Sequence, residues 1–131
     1  MREILFRGKR IDNGEWVYGF YYVSRCKSEK FHFIWTDSCN NLRAAVHPET
    51  VGQYTGLTDK DGVKIFEGDI CRFFNGEEYS IYEVVWIYHR WMVLMHGSCN
   101  PLPDDLDEGF CESAKVISNI YDNPEPPEVE E

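Results

Sequence analysis

Two acidic residues and a glycine in the middle of the chain resemble part of a calcium-binding loop. Asp59 and Asp61 alternate ahead of Gly62, as acidic ligands do before the glycine at the sixth position of such a loop. With Gly62 at that position, however, Leu57 occupies the first and Gly68 the twelfth, where ligands are required. We therefore expect a tight turn here, with Asp61 and Gly62 supplying its positive φ angles.

A second candidate is a zinc site in the C-terminal half. His96 and Cys99 have half of the ligand spacing that zinc needs, and Cys111 and His89 would complete four ligands. No second closely spaced pair accompanies them, so we predict no bound metal. We interpret Cys71 and Cys111 as small buried apolar residues.

Catalytic chemistry has no signature in this sequence. A nucleophile needs its base within hydrogen-bonding distance, and no local motif fixes a cysteine beside a histidine. The glycines between Gly52 and Gly68 fall in a predicted hairpin and do not open a helix, so they form no phosphate loop. We predict no catalytic, cofactor-binding or metal-binding residues, no cofactor, and a protein that is not an enzyme.

Cysteine usage and hydropathy indicate the compartment. The five cysteines are odd in number, widely spread and without a Cys-x-x-Cys pair, which is typical of free thiols in a reducing cytoplasm. No N-terminal apolar run has the length of a signal peptide, and no segment has the length of a membrane span. We expect a soluble cytoplasmic protein.

The formal net charge of −10 disfavours contact with nucleic-acid backbones and anionic membranes. A small positive cluster lies at the N-terminus and comprises Arg2, Arg7, Lys9 and Arg10. We interpret it as the solvated end of an edge strand, with a phosphate-binding patch as the alternative.

Short strands must position all of these residues. We call residues 51–70 the organising stretch. Its β-prone runs at 53–57 and 63–66 flank the turn at 59–62, so we predict a hairpin there. Further strands are predicted at 4–7, 15–23, 31–35, 70–74, 79–87, 91–95 and 116–121. Single helical turns are predicted at 47–50 and within 102–111.

Aromatic residues alternate along two of the predicted strands. One strand carries Trp16, Tyr18, Phe20 and Tyr22, and the next carries Phe31, Phe33 and Trp35. Since alternate residues of a strand share one face, we expect each set to line a single face and that face to be core. His32 would then point to the opposite face.

A third aromatic group, Trp86, Tyr88 and Trp91, surrounds a predicted strand reversal at residues 88–90. These rings could form an interaction surface that stacks bases or holds a peptide. We favour packing within the core and the hairpin, because cross-strand aromatic pairs stabilise hairpins.

The chain divides by composition into three regions. We expect an N-terminal β-rich or α+β lobe over residues 1–50 and an antiparallel barrel or curled sheet over 51–121. Residues 122–131 form an acidic tail with five acidic residues, three prolines and no lysine or arginine. Such a tail cannot bury enough apolar area to order itself, so we expect it to be disordered or to dock on a neighbour.

Three blocks of sequence occur in an order and spacing that span nearly the whole chain. They are REILFRGK (2–9) with WVYG (16–19), GQYTGL (52–57) through IFEGDI (65–70), and VISNIYDNPE (116–125). Together they resemble the YopX family of small phage- and prophage-encoded proteins. The departures are small: Ser118 stands where glycine is usual, and Pro126 where leucine is common.

The resemblance implies a mainly β protein with an N-terminal β-rich lobe, a C-terminal SH3-like antiparallel barrel, and self-assembly. It implies no activity and supplies no catalytic residues. We expect the motif positions to be structural: Gln53, Tyr54, Thr55, Gly56, Asp61, Gly62, Gly68, Asp69, Asn119 and Pro124.

We therefore predict a non-enzymatic, homo-oligomeric interaction module of the host cytoplasm, with a host or phage protein as a further partner. One alternative is an acidic decoy whose carboxylates, at 104–112 and in the tail, imitate DNA phosphates and occupy a host nucleic-acid enzyme. A nucleic-acid-binding barrel is the remaining alternative, which the net charge disfavours.

Overall fold

The computed structural model describes residues 3–36, 43–97 and 103–122, and the chain divides into two compact units, 1–54 and 55–131. The described residues contain eleven antiparallel strands and one short α-helix. The strands are β1 (Phe6–Lys9), β2 (Trp16–Cys26), β3 (Glu29–Trp35), β4 (Arg43–Ala45), β5 (Gly52–Thr58), β6 (Lys64–Phe66), β7 (Asp69–Phe74), β8 (Tyr79–Ile87), β9 (Arg90–Met95), β10 (Asp104–Asp105) and β11 (Ala114–Asn119), and the helix is α1 (Glu108–Cys111). The predicted mainly β class is confirmed.

The first unit is built on an antiparallel sheet with the order β4-β3-β2-β1-β5. The long strand β2 pairs with β1 on one side and with β3 on the other. Gly14 allows the β1–β2 connection because its φ of 72° lies in the left-handed region. Among the described residues of this unit the only helical segment is a 3₁₀ turn at Pro48–Thr50, so the alternative of an α+β lobe gains no support there.

Small aliphatic residues form the buried side of this sheet. Ile34, Ala44 and Val46 are fully or almost fully buried. Ile34 lies opposite Tyr21 of β2 and opposite Ala44 of β4, so the odd-numbered positions of β2 lie on the same side of the sheet as Ile34. His32 is also on this side, where the Tyr21 hydroxyl lies 2.6 Å from its Nδ1, as the alternation predicts.

The prediction that the alternating aromatic residues of β2 and β3 face the core is wrong. The alternating aromatic positions lie on the opposite side of the sheet from Ile34, and Phe20 and Trp35 are 62% and 41% exposed. Both faces of β2 are apolar in sequence, so its alternation alone cannot choose the buried side. The aliphatic residues of β3 and β4 make that choice, since pairing register ties the faces of neighbouring strands together.

The second unit contains a five-stranded antiparallel sheet with the order β10-β9-β8-β7-β11. Its core is a cluster of buried side chains that includes Ile65, Cys71, Tyr82, Val84, Val93, Leu106, Cys111 and Ala114. Strands β5 and β6 are neighbours across the turn at 59–62, so the hairpin predicted for the organising stretch is present. Among the described strands β10 and β11 each have one partner, so this sheet is open and closure into an SH3-like barrel remains a prediction.

The predicted positions of strand β8 and of the helical turns agree with the structure, unlike the predicted core face. Strand β8 has the predicted bounds, and the predicted helical turns correspond to Pro48–Thr50 and to α1. The side chain of Asp107 caps α1 by accepting the Phe110 N–H at 2.9 Å, as expected for an aspartate at a helix start. Strands β4 and β10 were not predicted.

In the described part of the chain, no helix combines the length and the apolar character needed to cross a bilayer.

Candidate interaction surface

Cross-strand pairing in the first unit gathers aromatic side chains on one sheet face. We call this the aromatic face, and it comprises Trp16, Tyr18, Phe20, Tyr22, Phe31, Phe33 and Trp35. Phe20 lies directly opposite Trp35, and these side chains are 62% and 41% exposed. In the next row Tyr22 stacks on Phe33, with ring centroids 5.4 Å apart. The most exposed rings therefore lie side by side.

Cationic side chains flank the aromatic face on both sides. The exposed Arg43 lies opposite Trp35 on β4, and its guanidinium is 4.7 Å from the centroid of the Phe33 ring. On β1, the buried Arg7 and the half-buried Lys9 lie over the Trp16 ring. Across β1–β4 this face carries these three cations and one carboxylate, Glu29. On these four strands the cations of this face outnumber its carboxylates.

The predicted surface around Trp86, Tyr88 and Trp91 forms the end of the β8–β9 hairpin. Trp86 lies opposite Trp91, and the rings meet edge to face with centroids 4.8 Å apart. Trp91 packs against the core cluster, while Trp86 is 47% and Tyr88 71% exposed. Nε1 of Trp91 is buried and has no hydrogen-bond partner among the described residues. One ring of this group is thus core, and the other two present apolar surface to solvent.

The reversal of this hairpin has an unusual backbone. Tyr88 and His89 form the two-residue connection, and their φ angles are 53° and 61°. Turns of this type favour Asn-Gly or Gly-Gly, because left-handed backbone is unfavourable for residues with a Cβ. The tip that exposes Tyr88 is therefore also a strained segment.

Asp59 is a structural centre of the organising stretch. Its side chain is 5% exposed, and Oδ1 accepts the N–H groups of Asp61 and Val63, both at 2.9 Å. Oδ2 accepts the N–H of Val116 at 2.9 Å. Asp59 was recognised in sequence only as a turn residue, and nothing local to it signals the contact with β11.

The turn after Asp59 differs from the predicted one in one respect. Gly62 has a φ of 81°, but Asp61 is not in the left-handed region, so the expectation of a positive φ at Asp61 is wrong. The Asp59 side chain holds the turn instead, by accepting two of its N–H groups. Asp61 itself is exposed.

The motif residues around the start of β5 are engaged in the fold. Gln53 pairs with Phe6, and the buried Tyr54 donates its N–H to the carbonyl of Leu5 at 2.8 Å. The Thr55 hydroxyl donates to the carbonyl of Ile65 at 2.8 Å, within the β5–β6 hairpin.

Motif glycines and polar residues further along hold tight connections. Gly56 and Gly68 both have positive φ, and a Cβ on Gly68 would lie 3.1 Å from Cε2 of Tyr121. Oδ2 of the buried Asp69 accepts the Phe66 N–H at 2.7 Å.

The motif also fixes the point at which the acidic tail begins. Oδ1 of Asn119 accepts the N–H groups of Tyr121 and Asp122, and its Nδ2 donates to the carboxylate of Asp122. Pro124 lies outside the described residues. The tail therefore leaves the second unit from a hydrogen-bonded turn.

The candidate zinc ligands are not gathered into a site within the described residues. No group of three or more His, Cys, Asp or Glu side chains there could hold a metal ion, and Cys99 lies outside those residues. Nε2 of His96 instead lies 3.4 Å from a carboxylate oxygen of Glu83. Cys71 and Cys111 are free and buried, as predicted.

A cleft of about 500 Å³ in the second unit is lined by Gly56, Leu57, Thr58, Asp59, Lys60, Glu108, Cys111 and Glu112. Burial, with smaller contributions from Asp107, Asp59 and Glu108, raises the pKa of the Cys111 thiol to about 11. The thiol is therefore neutral at physiological pH and a weak nucleophile. The described residues that line the cleft include no histidine that could activate it.

Charge is divided unequally between the two units. Residues 1–54 contain eight Lys or Arg and six Asp or Glu, whereas residues 55–131 contain five and seventeen. The net charges are therefore +2 and −12, so the overall −10 arises entirely from the second unit. The unit that carries the aromatic face is not acidic.

These features define a small antiparallel β protein with an exposed aromatic and cationic sheet face. Residues 5–126 match a family described as "YopX protein", and the chain belongs to the YopX family. The resemblance in its sequence blocks is thus confirmed.

One solved structure similar to this chain is titled "Crystal structure of protein EF1440 from Enterococcus faecalis". The two share 20% sequence identity over 95% of this chain and 98% of that chain, with a TM-score of 0.49. No curated protein matches the sequence.

Proposed function

We propose that this protein is a non-enzymatic protein-interaction module that self-associates, with the aromatic face as part of the contact. The observation that carries the proposal is the exposure of Phe20 and Trp35, which lie side by side on neighbouring strands. Contact of large rings with water is unfavourable, so covering them with a second protein surface releases free energy.

The size of the exposed surface fits a protein contact. The four most exposed rings of the face are those of Tyr18, Phe20, Phe31 and Trp35, at 41–62% exposure. Since an aromatic side chain buries 150–250 Å² in full, together they present roughly 400 Å². A standard interface covers about 800 Å² per partner, so these rings would supply about half. Neighbouring side chains would supply the remainder.

Family membership supports the rest of the proposal. We place the protein in the cytoplasm of a host cell, encoded by a phage or prophage, because small proteins of that origin are what the YopX resemblance implies. The open five-stranded sheet of the second unit is compatible with the SH3-like barrel that the same resemblance implies.

Sedimentation velocity over a wide concentration range tests self-association. We expect the wild-type chain to sediment as an assembly and the double variant Phe20→Thr/Trp35→Thr to shift to monomer. Threonine keeps the β propensity of both positions while removing the rings. Val23→Thr is the matched control, because Val23 is on the same strand, is 43% exposed and faces the other way. A monomeric wild-type chain, or a double variant that assembles normally, would refute the proposal.

The unequal charge favours one second candidate, the acidic decoy. Its charge would act through the second unit, where acidic residues outnumber basic ones by twelve. A decoy should capture a nucleic-acid enzyme of the host, should lose it at high salt, and should be displaced by DNA. The Phe20→Thr/Trp35→Thr variant should then bind as the wild type does. Capture that depends on those two rings would exclude this candidate.

A further inference from the structure

We propose that the aromatic face of one copy binds the acidic, proline-containing tail (residues 122–131) of a second copy. This inference rests on the proposed self-association and names the segment that covers the face. The tail has the sequence DNPEPPEVEE, and its residues 123–131 lie outside the described part of the chain.

Chemical complementarity is the first argument. Proline-rich segments bind aromatic-lined surfaces, since a proline ring packs on an aromatic ring and an already extended chain loses little entropy on binding. Phe20 and Trp35 provide adjacent exposed rings, and the tail provides three prolines within four residues. Adjacent exposed rings and closely spaced prolines are thus both available.

Charge complementarity is the second argument. Arg43 is exposed beside Trp35, and the half-buried Lys9 lies on the same face on β1. The tail carries five carboxylates and no cation. Attraction between the +2 unit of one copy and the −12 unit of another favours contact between the aromatic face and the tail of a different copy.

Length is the third argument. An extended polyproline-type chain rises about 3.1 Å per residue, so ten residues span roughly 30 Å. Neighbouring strands are about 4.8 Å apart, so crossing from β1 to β4 takes roughly 15 Å. The tail is long enough to reach the exposed rings and the cations on both sides of them.

Single-stranded nucleic acid is the competing occupant, because stacked bases and phosphates also suit aromatic rings and cations. The observations favour the tail, since every bound copy would bring a net charge of −10 close to the phosphates.

Photo-crosslinking in the full chain tests the inference. The variant Phe20→p-benzoylphenylalanine is prepared unlabelled and ¹⁵N-labelled, mixed in equal amounts, irradiated and digested with trypsin. Because Lys115 is the last cleavage position, residues 116–131 form one peptide that contains the tail. We expect adducts on residues 123–131 that combine labelled and unlabelled chains. The same photoreactive residue at Val23, exposed on the other face, should give no tail adduct.

Tail variants and competition complete the test. Replacing Glu125, Glu128, Glu130 and Glu131 by glutamine should lower the tail adduct roughly tenfold, as should high salt. Adducts within one chain only would overturn docking on a second copy. Adducts between chains at another segment would overturn the tail as occupant but leave self-association intact, whereas a monomer without interchain adducts would refute both. An oligothymidylate that binds the wild type but not Phe20→Thr, without a tail adduct, would assign the face to nucleic acid.

Discussion

Asp59 accepts the backbone N–H of Val116 at 2.9 Å, although 57 residues of sequence separate them. The same buried carboxylate accepts two N–H groups of its own turn. It thereby joins the β5–β6 turn to strand β11. Within the second unit, one side chain links the most distinctive motif to the last strand.

Replacing this carboxylate by its amide tests the link. In Asp59→Asn the side chain keeps one acceptor oxygen but sets an NH₂ group against at least one backbone N–H. We expect the free energy of unfolding to fall by about 3 kcal/mol, since a buried donor loses its charged acceptor. Asp61→Asn is the control, because Asp61 is exposed, and its effect should stay within about 0.5 kcal/mol. Denaturant titrations measure both, and equal stability of the two variants would contradict the assignment.

Gly19 is predicted to be irreplaceable in the first unit. A Cβ added at this position would lie 2.0 Å from the backbone oxygen of Trp35, which neither strand can avoid while β2 and β3 stay paired. We expect Gly19→Ala to cost roughly 3 kcal/mol or more, or to prevent this unit from folding. Gly14→Ala should cost only about 1 kcal/mol, because its strain comes from a φ of 72° without any close contact. Thermal unfolding by circular dichroism compares the two, and a mild Gly19→Ala would show that the close approach is absent.

Substitutions in the strained β8–β9 turn should increase the stability of the protein. Tyr88→Asn/His89→Gly introduces the pair that a turn with two positive φ angles prefers. We expect the free energy of unfolding to rise by about 1–2 kcal/mol, because the left-handed strain is relieved. Gly62→Ala is the reverse control and should destabilise, since it adds a Cβ at a φ of 81°. A loss of stability in the double variant, seen in denaturant titrations, would indicate that the Tyr88 ring makes contacts that outweigh the strain.

The buried Cys111 thiol should make the free energy of unfolding depend on pH in the alkaline range. Below the ordinary thiol pKa of 9.0 both folded and unfolded chains hold the proton, and this contribution is intact. Between pH 9 and about 11 only the unfolded chain loses it, so the free energy of unfolding falls as pH rises. Urea titrations from pH 7 to 11 should show a shallower decline in Cys111→Ala than in the wild type. Tyr82, whose pKa is also raised by burial, contributes equally to both chains. Identical pH profiles would refute the effect.

Several local features of the fold could be predicted from sequence because their causes are local. Gly62 signalled a reversal through its conformational freedom, and it has a positive φ. A helical turn within 102–111 was predicted, and α1 lies there with Asp107 as its N-cap. Tyr54 and Thr55 of the motif block are buried and hydrogen-bonded, while the structural role of the motif as a whole stays a prediction.

The features that sequence could not predict depend on distant residues. Alternation placed Phe20 and Tyr22 on one face of β2 but could not say which face is buried, because that depends on Ile34 and Ala44 in other strands. The contact of Asp59 with Val116 has no local signal either.

The edge-to-face pair of Trp86 and Trp91 gives the molecule an optical signature. Two indoles with centroids 4.8 Å apart and planes inclined at 69° bring their electronic transitions into coupling, which splits the ultraviolet circular dichroism into bands of opposite sign. Both rings belong to a single hairpin of one unit. Loss of these paired bands during denaturation therefore reports when this hairpin opens. It does so separately from unfolding of the first unit and without any attached label.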